Sequence, residues 1–149
     1  MKALFTSFGL MSTFLLTVSA APASAASPGV TFVSHEKVDV AMAKGGPLVK
    51  ASDLLVQGSH RNGPGHVELH EKETDVLYVT EGSATFVTGG TMVGGKATTP
   101  GQMAGTDIKG GETHHLVKGD VIVVPAGIPH WFKEVPQSVT YFVVKVLKP

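Results

Sequence analysis

His66, Glu68 and His70 alternate with Val67 and Leu69. In an extended backbone that alternation sends the three polar side chains to one face and the two apolar ones to the other. Imidazole nitrogens and a carboxylate on one strand face are groups that bind a divalent cation or move protons. The plain alternative for such a pentapeptide is a half-buried strand with a solvated polar face. Asp75 follows a short polar turn and opens the apolar run Val76–Val79. Its carboxylate would cap that strand or face the same interior as His70. A second segment, Gly119 to His130, spells G-x5-P-x-G-x2-H. Here Gly119 turns the chain, a β-branched run makes a buried strand, Pro125 and Gly127 form a tight corner, and His130 begins the next strand.

The elements that must position these groups are short and mostly extended. Leu54–Val56, Val76–Val79, Ala84–Thr88, Val121–Val124 and Val139–Val146 are β-branched or aromatic runs. Turn signals separate them at Asn62-Gly63-Pro64-Gly65, Glu81-Gly82-Ser83, Gly89-Gly90, Lys118-Gly119-Asp120 and Pro125-Ala126-Gly127. Strands at this pitch predict an antiparallel sandwich, jelly roll or barrel. One helix is predicted, over Ser34–Lys44, with Ser34 as its cap and Gly45-Gly46-Pro47 as its stop. The 149 residues suit a single domain, and 18 Gly with 9 Pro exclude a helical bundle.

Together the two segments resemble the cupin superfamily. Its second motif, G-x5-P-x-G-x2-H-x3-N, fits through His130, with Glu134 where the family has Asn. Its first motif, G-x5-H-x-H-x3-4-E-x6-G, fits with departures. Counting back from Gly82, Asp75 takes the carboxylate position, His70 the second His and Glu68 the first His. His66 lies two residues earlier on the same face, and Gly63 and Gly65 stand near the opening glycine. The motifs then cover about residues 63–82 and 119–134 of a domain over 26–149.

The resemblance implies an all-β antiparallel barrel or jelly roll and a homodimer, here joined to the short N-terminal helix that the residues themselves predict after a signal peptide. It also implies one divalent metal held by Glu68, His70, Asp75 and His130. Two imidazoles with carboxylates favour Fe²⁺ or Mn²⁺, with Zn²⁺ as a further candidate. If Asp75 falls short, Glu68, His70 and His130 still make a two-His-one-carboxylate face with open positions. His66 or Glu68 would serve as acid or base. Arg61, near the barrel mouth, would bind an anionic substrate. One of His114 and His115 would face the pocket, with His114 the candidate contact, and Phe132, in phase with His130, would wall it. Tyr78 and Trp131 fall out of phase, Tyr78 packing against the helix.

Other chemistries fail on the residues. Gly90 to Lys96 spells G-x-x-x-x-G-K, but Ala97 stands where a phosphate loop needs a hydroxyl, and Pro100-Gly101 blocks the helix. His70-Glu71 starts like H-E-x-x-H, yet Thr74 takes the second His position. No Ser sits in a G-x-S-x-G elbow. Without Cys there is no thiolate site, and 12 basic against 12 acidic residues argue against nucleic acid or an anionic membrane as partner.

Met1–Ala25 has the charge, apolar run and Ala23-Ser24-Ala25 cleavage signal of a secretory leader. A periplasmic or secreted protein, free of the membrane once cleaved, is expected. The leading functional expectation is an exported metal-dependent enzyme of oxygenase, isomerase or lyase type acting on a small organic substrate. The alternative is a non-catalytic module that binds a small molecule or sugar.

Overall fold

Among the described residues, a sequence of alternating apolar positions broken by glycine turns forms antiparallel strands and one helix. The computed structural model describes residues 29–148, and the leader expected over Met1–Ala25 lies outside the described residues. Helix α1 (His35–Lys44) is followed by β1 (Gly46–Lys50), β2 (Leu54–Arg61), β3 (Val67–His70), β4 (Glu73–Thr88), β5 (Thr91–Val93) and β6 (Lys96–Thr99). Then come β7 (Gln102–Gly105), β8 (Asp107–Lys109), β9 (Glu112–Val117), β10 (Val121–Val124), β11 (His130–Glu134) and β12 (Val139–Leu147). Ten strands join one curled sheet in the order β1-β2-β12-β4-β11-β3-β7-β6, with β9 and β10 also paired to β4, while β5 and β8 form a separate ribbon. The expected all-β antiparallel barrel or jelly roll is the fold observed.

Strand β4 ties the two halves of the sheet together. The sequence predicts a turn at Glu81-Gly82-Ser83; the structure keeps one strand of 16 residues through it. Gly82, at φ 75°, comes so near the Ser138 carbonyl that a Cβ would lie 2.0 Å from its oxygen. The pairing with β12 skips Thr80, so an extra residue bulges there. A bulge reverses which side chains face inward. Asp75, Leu77 and Val79 are buried before it, Ala84 and Phe86 after it. The chain bends instead of reversing, because β12 and β10 pair with the first half of β4 while β9 and β11 pair with the second.

The core lies between the curled halves: Leu77, Val79, Phe86, Leu116, Phe132, Val139, Tyr141 and Val143 pack as one cluster. Each such side chain removed from water contributes about 1.5–3 kcal/mol. Ser34 occupies the capping position of α1 without a side-chain cap bond, and Gly45 ends the helix by donating to the Ala41 carbonyl. The helix rests on β2, where a Cβ on Gly58 would sit 2.6 Å from the Ala41 carbonyl carbon. Tyr78 does face outward, as its phase requires, but it is 48% exposed and α1 covers β2 instead. Among the described residues no helix is long and apolar enough to cross a membrane.

Candidate metal centre

Two strand faces and one corner bring the histidines together. Glu68 sits on β3, directly opposite His130 at the start of β11. The Gly127 N–H donates to the His70 carbonyl at 2.7 Å, which fastens the Pro125–Gly127 corner to the end of β3. The result is a T-shaped pair of imidazoles, His70 and His130, with ring centroids 5.0 Å apart. Both are buried. The Glu68 carboxylate lies 3.9 Å from Nε2 of each ring, and Asp75 lies 3.5 Å from Nε2 of His70 and 3.9 Å from that of His130.

Partners outside the cluster orient both rings. Nδ1 of His70 bonds to the Gln102 side-chain oxygen, and Gln102 in turn donates to Glu73 at 2.6 Å. Nδ1 of His130 donates to the Ile128 carbonyl at 3.1 Å. An imidazole whose Nδ1 carries the proton presents a bare lone pair at Nε2. Both Nε2 lone pairs therefore face carboxylate oxygens, acceptors turned toward acceptors. His70 Nε2 is buried with no hydrogen-bond partner. A cation at that point relieves the conflict, and the donor set of Glu68, His70 and His130, mutually within 4.8 Å, fits a divalent ion.

Asp75 is held differently. It lies opposite Lys145 across the β4–β12 ladder, and Lys145 Nζ donates to its two oxygens at 2.9 and 2.8 Å. Lys145 also meets Glu73 at 3.1 Å. Burial works against a charged Asp75, but His70 and Lys145 outweigh it and hold the carboxyl below its ordinary 3.8. For His70 burial disfavours the cation and Lys145 adds to this, yet Asp75 and Gln102 prevail and the imidazole sits above 6.5. Burial wins at His130, with His70 reinforcing it against the Ile128 carbonyl and the carboxylates, and its pKa falls below 6.5.

A cavity of about 170 Å³ opens beside the cluster, lined by alternate residues of five strands. Strand β2 contributes Gln57, Ser59 and Arg61, and β12 contributes Tyr141, Val143 and Lys145. Asp75 and Leu77 come from β4, Glu68 from β3, His130 and Phe132 from β11. Wider grooves of about 490 and 620 Å³ flank α1, but the ligand cluster does not line them.

The sequence-predicted residues divide accordingly. Glu68, Asp75, His130, Arg61 and Phe132 line the cavity, and His70 stands behind it in the cluster. His66 does not join them: it precedes β3, is exposed, and lies outside the cavity wall, because the strand pairing begins only at Val67. His114 is likewise not in the wall; it bonds Thr88 across the β4–β9 pair at 2.9 Å. Trp131, out of phase as expected, donates from its indole to the Gly65 carbonyl at 2.8 Å. Sequence reasoning missed Lys145, Gln102 and Glu73 around the ligands and Gln57, Ser59 and Tyr141 in the wall. The signal for Lys145 was present: it is the one charge in the inward phase Val139, Tyr141, Val143, Lys145 of an apolar strand.

Solved structures share this architecture. A Bacillus halodurans protein superposes with a TM-score of 0.50 at 14% identity, over 69% of this chain and 69% of that one. The Schizosaccharomyces pombe Cnp3 cupin domain gives 0.50 at 12% identity, over 69% and 59%. A cupin superfamily protein from Desulfitobacterium hafniense gives 0.48 at 15% identity, over 68% and 74%. No curated protein matches the sequence. The family model described as cupin matches residues 49–149, which include every strand that lines the ligand cluster and its cavity, and the chain belongs to the cupin family.

Proposed function

We propose that the protein is an exported, metal-dependent cupin enzyme that acts on a small organic substrate in the cavity beside Glu68, His70 and His130. The observation that carries this reading is the pair of Nε2 lone pairs, each aimed by a hydrogen bond at Nδ1 toward the same carboxylate. Two imidazoles and one carboxylate, with the cavity side left open, favour Fe²⁺ or Mn²⁺, and Zn²⁺ remains a candidate. When bound, such an ion supplies Lewis acidity, and iron adds redox chemistry of the oxygenase type.

The chain's own residues supply the rest. Glu68, His70 and His130 are the holders, while Gln102 and the Ile128 carbonyl keep the rings in the binding tautomer. Lys145 lies on the cavity wall and donates to Asp75. Leu77, Phe132 and Val143 supply the apolar part of that wall. Acid–base work by His66 finds no support in its exposed position. Export rests on the leader Met1–Ala25, and a homodimer has apolar outer-face side chains to use, Tyr78 beside Val121 among them.

The saturated Asp75–Lys145 pair favours a second reading, a metal-free pocket that binds its ligand by hydrogen bonds alone. Elemental analysis of protein purified without chelators separates the two. About one divalent ion per chain supports the enzyme reading, and a metal-free protein that also refuses Fe²⁺, Mn²⁺ and Zn²⁺ on reloading contradicts it.

A further inference from the structure

The inward face of β2 is polar where a small barrel normally presents apolar side chains. Gln57, Ser59 and Arg61 follow one another at every second position and all line the 170 Å³ cavity. With Tyr141 they also line an outer depression of about 260 Å³, so these four residues form a throat common to both spaces.

Arg61 is fixed in that throat from two sides. Its Nε donates to the Tyr141 hydroxyl at 2.9 Å, and its guanidinium lies over the Phe132 ring, 4.8 Å from the centroid. A side chain on Gly65 would come within 2.8 Å of Nη1, so the absent Cβ leaves room for the fork. The loop carrying Gly65 is itself held by the Trp131 indole and by the bond from Gly65 N–H to the Phe132 carbonyl. These contacts occupy Nε and one face, and they leave the Nη edge. Its nearest anion is Glu68, 3.7 Å away from Nη2, beyond hydrogen-bond length. Lys145, the other cation of the wall, is already taken by Asp75 and Glu73.

We propose that the substrate is a small carboxylate, received at the throat by the Nη edge of Arg61 with Ser59 and Gln57 beside it. The apolar remainder then lies along Leu77 and Val143 toward the ligand cluster. This rests on the reading of the cluster as a metal centre with a substrate cavity. A planar guanidinium pre-set by Tyr141 and Phe132 matches a carboxylate bidentately and loses little freedom on binding it. The cavity is below the roughly 300–1,000 Å³ of drug-sized ligand sites, which limits the substrate to a few carbons.

The test titrates Zn²⁺-loaded and metal-free protein with butanoate and with its uncharged isostere butanamide, following NMR shifts of the cavity residues. Wild type should bind butanoate about tenfold or more tightly than butanamide in both forms, the difference made by a charge-assisted pair. Arg61→Gln should abolish the preference and Arg61→Lys should keep part of it, with metal content unchanged. Equal binding of the two probes by wild type overturns the proposal. So does a preference that survives in Arg61→Gln, since the anion would then be held elsewhere. Metal content measured on the same samples separates the two readings. Absent metal with the preference intact defeats the metal enzyme and keeps the carboxylate site; bound metal without the preference does the reverse.

Discussion

Lys145 faces Asp75 from the opposing position on the next strand and gives a hydrogen bond to each of its carboxylate oxygens, at 2.9 and 2.8 Å. Asp75 is buried at 7% exposed and Lys145 is mostly covered at 14%. The pair sets how the two carboxylates of the site differ. Asp75 is compensated by an ammonium, whereas Glu68 faces two imidazole lone pairs at 3.9 Å and the Arg61 guanidinium at 3.7 Å.

Breaking this pair from one side should be costly. Lys145→Met leaves Asp75 and Glu73 without their cation and should lower the stability of metal-free protein by about 3 kcal/mol. The double variant Asp75→Asn with Lys145→Met should recover most of that loss, because no uncompensated Asp75 charge remains. Urea unfolding of the three proteins reads both effects. A single variant as stable as wild type would show that the pair is not the buried contact described.

Gln102 touches His70 only from behind, yet it fixes which nitrogen is free. Gln102→Ala should weaken metal binding about 10–100-fold while leaving the fold intact. Competition against a chromophoric chelator measures the change. Unaltered affinity would mean that the tautomer is set by something other than this bond.

The two histidines should titrate apart. In metal-free protein His70 should ionise above 6.5 and His130 below it, which side-chain NMR resolves directly. The raised His70 contributes stability that is complete below 6.5 and is lost as pH rises through its folded value. The depressed His130 works the other way: its contribution is complete above 6.5 and is lost as pH falls toward its folded value. Asp75, also depressed, contributes stability above its ordinary 3.8 that disappears as pH falls through the folded value. Metal needs neutral imidazoles, so affinity should begin to fall as pH drops through the raised value of His70. Both rings titrating together at 6.5 would contradict the environments described.

Alternation and glycine turns made most of the fold legible in the sequence. Turn chemistry at Asn62–Gly65 and Lys118–Asp120 is local, so it can be read from neighbours. Gly82 misled because a glycine with positive φ serves a bend as well as a reversal, and only the distant Ser138 backbone decides between them. The cupin resemblance assigned Glu68, His70 and His130, with Asp75, to one metal; spacing by itself carried only a polar face on one strand and a corner before His130. His66 shows the limit of that spacing, since shared parity matters only where the strand has begun. Gln102 gave no local signal, and the inward phase of Lys145 did not name its partner: each acts through a residue far along the chain, 32 and 70 residues away. Only the pairing of β12 with β4, and of β7 with β3, brings them in.

Glu68, His70 and His130 are proposed to hold one divalent ion together, and elemental analysis of wild type and of Glu68→Ala, His70→Ala, His130→Ala, His66→Ala and Asp75→Asn, all purified without chelators, reads this out. About one ion per chain is predicted for wild type and for His66→Ala, and most of it for Asp75→Asn. Most of the metal should be lost from each of the other three variants. Full metal in His130→Ala with loss from His66→Ala would contradict the account and move the site to a different register of β3.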